Sequence, residues 1–187
     1  MTKTRLMSRA AAVVAVAAMI STVVMSAGTA HAEPDLNVRI QNAETHQYLT
    51  IGNGSTSDGA AAIQWTSLSG YEQRWNFTKV EDRDGDDWDL WVIRNGRSGD
   101  CLAIPAGSRV NGTGAIQWTC LRDAYGIPVG LDDQRWYVQF DSVLGGYRIV
   151  NYVSFKCLAI PGGNTTPGTQ AIQWDCANDP DQRWWIF

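Results

Sequence analysis

The sequence predicts an all-β domain built from three copies of one four-stranded unit. Three observations carry this. The tripeptide IQW occurs at Ile63–Trp65, Ile116–Trp118 and Ile172–Trp174, and QRW at Gln73–Trp75, Gln134–Trp136 and Gln182–Trp184. Other identities recur at fixed offsets from these, which is the signature of internal repetition. After residue 32 the chain shows strand-and-turn patterning and no convincing amphipathic helix.

The first strand of each unit reads VRIQN, WVIRN or YRIVN and ends on Asn42, Asn95 or Asn151. Six residues later the second strand begins at Tyr48, Cys101 or Cys157, as YLTI or CLAI. Two glycine columns follow, Gly54, Gly107 and Gly163, then Gly59, Gly112 and Gly168. They fall between strands, where a turn needs positive φ. The third strand ends in AIQW. The fourth starts at RW and alternates apolar residues: Trp75 and Phe77, Trp136 and Val138, Trp184 and Ile186. That alternation places Trp75, Trp136 and Trp184 in the core, and Gln73, Gln134 and Gln182 read as residues that tie turns to strands. One unit cannot bury its apolar face alone, so the three must share one core.

The cysteines respect this partition. Cys101 and Cys120 are 19 residues apart, as are Cys157 and Cys176. Of the three pairings that four cysteines allow, the repeat favours one bridge in each of these two units. Tyr48 and Ser67 hold the corresponding positions of the first unit. A zinc site is disfavoured because no close Cys-x-x-Cys pair exists. The second unit carries an insertion, roughly residues 123–130 (DAYGIPVG), with Tyr125 in it. The acidic stretch Glu81–Asp89 lacks EF-hand spacing and reads as a solvated face with a hairpin turn at Asp84-Gly85. No metal or cofactor is expected. Three Asn-x-Ser/Thr triplets begin at Asn53, Asn111 and Asn164, where turn chemistry already explains the asparagines.

Residues 1–32 have the layout of a secretory signal. Lys3, Arg5 and Arg9 precede the apolar run Ala10–Met25, and a small-residue stretch ends at Ala30-His31-Ala32. The apolar run is short for a membrane span, and no membrane anchor is expected. The remaining residues, 33–187, suffice for one domain, with repeats at about 36–80, 88–140 and 144–187. Removing the three N-terminal basic residues from the 15 Lys+Arg leaves 12 against 19 Asp+Glu, a net charge of −7. That balance disfavours nucleic acid and anionic membrane surfaces.

Three units of about fifty residues, each with a glutamine-x-tryptophan signature, resemble the ricin B-chain-like lectins, a β-trefoil family. The resemblance rests on the three QRW motifs, the CLAIP segments and the cysteine spacing, and it spans about Leu36 to Phe187. It implies a barrel closed by a triangular cap, up to three shallow sugar sites, and a secreted, extracellular module that holds glycans or polysaccharides. A sugar offers an apolar face to an aromatic ring and hydroxyls to placed polar groups. The resemblance puts the aromatic on Trp65, Trp118 and Trp174, although packing is an equal alternative for these rings. The position before QRW, commonly Asn in the family, holds Glu72, Asp133 and Asp181. The family's Asp position holds Thr50, Ala103 and Ala159, and its Gln position holds Ile63, Ile116 and Ile172. Each unit keeps its aromatic platform and lacks two of the family's polar partners, which counts against galactose-type recognition.

Catalysis finds little to work with. His46 is the one histidine after residue 32, the cysteines are assigned to bridges, no G-x-S-x-G elbow occurs, and nothing in the repeats singles out a carboxylate pair. The expectation is a non-catalytic, monomeric glycan binder. The alternative is a protein-binding trefoil, for example a protease inhibitor that uses the loop 123–130, since an inhibitor needs one asymmetric loop rather than three equal sites.

Overall fold

The computed structural model describes residues 37–81 and 89–187. The secretory layout of residues 1–32 and the Asp84-Gly85 turn lie outside them. Twelve strands follow in chain order, four to a repeat: β1 Ile40–Asn42, β2 Tyr48–Ile51, β3 Ala62–Trp65 and β4 Trp75–Glu81; β5 Leu90–Asn95, β6 Cys101–Ala103, β7 Ile116–Trp118 and β8 Arg135–Phe140; β9 Tyr147–Asn151, β10 Cys157–Ala159, β11 Ile172–Trp174 and β12 Trp184–Ile186. The fold is a β-trefoil, and no α-helix occurs among the described residues.

First and fourth strands make a ring. Antiparallel pairing runs β1–β12–β9–β8–β5–β4. The ring closes where Val38 N–H donates to the Trp75 carbonyl at 2.9 Å and Trp75 N–H returns to Val38 at 2.8 Å. Second and third strands form three hairpins, β2–β3, β6–β7 and β10–β11. At the axis these hairpins meet through one small residue each. Ala62 N–H donates to Ala115, Ala115 to Ala171 and Ala171 to Ala62, at 2.8–3.0 Å. All three alanines are fully buried; a larger side chain would collide with its own symmetry mates, since packed interiors tolerate little added volume.

The core confirms the alternation read from the fourth strands. Trp75, Trp136 and Trp184 are fully buried, among Ile40, Leu49, Ile93, Leu102, Ile149 and Leu158. Each indole Nε1–H donates to a second-strand carbonyl, Leu49, Leu102 or Leu158, at 2.9–3.0 Å. The ring is thereby buried without an orphaned donor. The six glycines of the two columns all have positive φ, as the turns require. Disulfides join Cys101 to Cys120 and Cys157 to Cys176.

Candidate functional site

The QRW glutamine shapes the loop that follows the IQW strand. Gln73 donates to the Thr66 carbonyl and accepts from Leu68 N–H, both at 2.7 Å. Gln182 repeats this with Asp175 and Ala177, and Gln134 with Thr119 and, at the base of the insertion, Leu131 and Leu121. The structural reading of these glutamines stands.

The glutamine of IQW does something the sequence did not disclose. Gln117 is fully buried; it donates to the Ser55 and Ser57 carbonyls of the preceding repeat at 3.0 Å and accepts from Ser98 Oγ at 2.8 Å. Gln173 holds Ser108 and Val110 in the same way, and Gln64 holds Asn164 and Thr166. Each third strand is thus clamped to the turn of another repeat, and that turn carries the second-column glycine. Glycine is needed there for its positive φ, and space is not the constraint. A Cβ on Gly59, Gly112 or Gly168 would meet the ring of Trp118, Trp174 or Trp65 at 3.9, 3.7 or 3.4 Å. With Gln in the middle of IQW pointing inward, the tryptophan that ends each third strand lies at the surface. Trp65, Trp118 and Trp174 are 37%, 46% and 46% exposed. They are held rings with open faces, not core.

Beside two of these rings lies a small cleft, of about 220 Å³ in the first repeat and about 320 Å³ in the third. Such volumes suit a group of sugar-ring size rather than an extended ligand. The first cleft is lined by Thr50, Asn53, Ile63, Trp65, Leu68 and Glu72. The third is lined by Ala159, Pro161, Ile172, Trp174, Asp179 and Asp181. Thr50 pairs across the hairpin with Ile63 and Ala159 with Ile172, so the fold does assemble the positions singled out above. Ala103 and Ile116 pair identically in the second repeat, beside Trp118. Thr50 Oγ1 is turned away to the Glu72 carbonyl at 3.1 Å, leaving an apolar floor under an aromatic wall.

Glu72, Asp133 and Asp181 lie in short 3₁₀ turns just before the QRW arginine. Their backbone carbonyls accept from Asn95, Asn151 and Asn42 of the following repeat at 2.8–3.0 Å, which explains the asparagine column. Burial pushes the Asp133 carboxyl above its ordinary range, against the pull of the Gly107 amide. Burial also raises Asp181, with Asp179 and Glu44 adding repulsion. The Asp181 Oδ1 atom is buried and has no hydrogen-bond partner.

The ricin-type beta-trefoil lectin domain-like family matches residues 29–118 and 132–187, on either side of the second-repeat insertion. The chain belongs to this family. Among solved structures, it is similar to the designed 3-fold symmetric protein ThreeFoil, at 27% identity and TM-score 0.68, over 80% of this chain and 96% of that one. An exo-beta-1,3-galactanase from Clostridium thermocellum, 1,3Gal43A, matches at 25% identity and TM-score 0.68, over 82% of this lectin-like chain but 30% of the enzyme. The Macrolepiota procera ricin B-like lectin, solved with lactose, shares the fold at 23% identity and TM-score 0.59, over 80% of this chain and 93% of that lectin. No curated protein matches the chain.

Proposed function

We propose that this chain is a secreted, monomeric, non-catalytic carbohydrate-binding module. Its sites are built on Trp65, Trp118 and Trp174, with Glu72, Asp133 and Asp181 as hydroxyl acceptors. The observation that carries this reading is the three tryptophans left 37–46% exposed at equivalent positions, two of them beside a cleft. The lactose-bound Macrolepiota relative supports the ligand class. The apolar pairs Ala103–Ile116 and Ala159–Ile172 replace polar partners, so each site is weak, and repetition on a polymer supplies avidity. Residues 1–32 act as the export signal, and among the described residues no helix is long and apolar enough to cross a membrane.

Tryptophan fluorescence titrated with a panel of soluble polysaccharides tests the reading. At least one polymer should bind, and W118A and W174A should each weaken binding while leaving the folded baseline intact. Binding by no polymer, or variants that lose only stability, sinks it. A second reading, a protein-binding surface on the insertion, is favoured by Tyr125, which is 90% exposed. Its loop is pre-shaped by Asp123, whose carboxylate accepts from Tyr125 and Ile127 N–H at 2.9 Å. Deleting residues 123–130 separates the two: polysaccharide binding survives, whereas inhibition of a protease would vanish.

A further inference from the structure

The three sites share a tryptophan and an acid, but each borrows a different wall from the repeat that follows. Two residues past the asparagine column stand Glu44, Arg97 and Val153. Each lies over a first-column glycine of the neighbouring repeat. A Cβ on Gly163 would sit 3.0 Å from Glu44 Cγ, on Gly54 3.4 Å from the Arg97 guanidinium, and on Gly107 3.8 Å from Val153 Cγ1.

The electrostatic consequences differ. In the first repeat Arg97 Nη1 approaches Glu72 Oε2 at 3.9 Å, so the acid has a counter-charge. In the second, Val153 is neutral, and Asp132 beside Asp133 is answered by Arg135 at 3.4 Å. In the third, Glu44, Asp179 and Asp181 line one cleft with no ion pair to any of them among the described residues; the cation that acts on Asp179, Arg183, is ion-paired to Asp141 instead. The Trp174 cleft continues into a second one that shares Asp179 and Asp181 and adds Glu44 and Gly163. Like charges left together in this way repel, and Asp179 and Glu44 add to the burial that raises the Asp181 pKa. Asp181 Oδ1 is buried without a hydrogen-bond partner, as Glu72 Oε2 is in the first repeat, so the two sites differ in charge balance rather than in free acceptors. The demand is for a ligand that brings positive charge and N–H donors. Among the described residues no three acidic side chains converge closely enough to hold a metal ion; a larger cationic group lying along the cleft can reach them where they stand. An ammonium-bearing ring that rests on Trp174 meets both conditions, through stacking or cation–π contact and through charge-assisted hydrogen bonds.

We propose that the third-repeat site takes a sugar unit carrying a free ammonium group, as in a glucosamine polymer, and that the first-repeat site, neutralised by Arg97, does not select for it. This rests on the glycan-binding reading above and adds the ligand's charge to it.

The test uses the mature chain and two soluble oligomers of equal length, glucosamine with free amines and its N-acetylated counterpart, followed by calorimetry near pH 6. The free-amine oligomer should bind more tightly. E44Q should weaken it ~2- to 5-fold, the range expected for one partly exposed charge contact, and leave the N-acetylated form unchanged. R97E should strengthen free-amine binding by recruiting the first site. Equal affinity for both oligomers, or a preference that persists in the E44Q/D179N double variant, overturns the proposal. Equally tight binding of a lysine oligomer also overturns it, since the site would then be reading charge without sugar. If neutral polysaccharides bind while neither amine effect appears, the charge proposal fails and the glycan-binding reading stands. If nothing binds, both fall.

Discussion

Arg39 ties Ser67 to the first strand: its Nη1 donates to Ser67 Oγ at 3.0 Å. The same guanidinium lies 5.0 Å from the centroid of the Tyr48 ring, and Nη2 donates to the Leu68 carbonyl. Tyr48 and Ser67 stand where the other repeats carry bridged cysteines. The first repeat therefore joins these two positions through a cation instead of a covalent bond. The register is shared as well, since Tyr48 faces Trp65 as Cys101 faces Trp118 and Cys157 faces Trp174.

A third disulfide should consequently form in the double variant Y48C/S67C. Closing a loop of this length is worth roughly 3 kcal/mol in the chain-entropy account. Losing the half-buried Arg39–Tyr48 contact costs about 1 kcal/mol. The net expectation is a gain of about 2 kcal/mol, read as a higher denaturant midpoint without free thiols. Titratable thiols in the folded variant would contradict it.

Ala106 offers a second, smaller gain. It holds φ 53°, ψ 27° in the turn where the third repeat has Gly162 at φ 57°, ψ 28°. Left-handed backbone costs a residue with a Cβ about 1–2 kcal/mol. Glycine recovers this less the extra freedom of the unfolded chain, about 0.4–1 kcal/mol. A106G should therefore raise the thermal midpoint by about 1 kcal/mol of stability. G162A, whose Cβ would meet nothing within 4 Å, should lower it by a similar amount.

How much of this was legible beforehand depended on whether a residue acts within its own repeat. Trp184 and Gln182 act locally, and period-two alternation and fixed offsets revealed them. Gln117 acts on Ser55 and Ser57, some sixty positions away, and nothing in a linear pattern ties an identical column to a partner in another copy. Glu44, Arg97 and Val153 were harder still. They occupy one column with three different residues, so a search for identity passes over them, although the constant offset from Asn42, Asn95 and Asn151 was a usable signal. Ala159 and Ile172 lie thirteen positions apart and meet only across the third hairpin, and the cleft beside them adds Asp179 and Asp181 from a later turn, which no linear pattern displays.

The clamp formed by Gln117 is open to direct measurement. Q117L fills the space but leaves the Ser55 and Ser57 carbonyls and the Ser98 hydroxyl without their partner. These groups are only part-buried and can reach water, so the loss falls within the range for a single orphaned group, about 1–3 kcal/mol. Q117E should do no better, because a carboxylate cannot donate to two carbonyls. Both variants should also free the turn that carries Gly59, and Trp118 emission should shift as its neighbour loosens. A loss below about 1 kcal/mol would mean that water replaces the amide.

Asp181 and Asp175 should respond to acid in opposite senses. Burial, then Asp179 and Glu44, raise the Asp181 pKa in the folded state. The charged carboxylate therefore penalises folding at neutral pH, and the penalty fades as pH falls through the raised value toward the unfolded one. D181N removes that penalty, so it should be the more stable protein near pH 7, by at most about 1 kcal/mol given its partial exposure. The advantage should close as the wild-type carboxyl protonates. Asp175 is the reverse case. Hydrogen bonds from Lys156, then Asn111, lower its pKa, so its contribution is present above the unfolded pKa and is lost as pH falls through the lowered folded value. D175N should accordingly be less stable than wild type at pH 7 and converge with it in acid. Denaturant midpoints for the three proteins from pH 7 down to pH 3 decide the matter. Parallel curves would show that neither carboxylate is set by the neighbours named here.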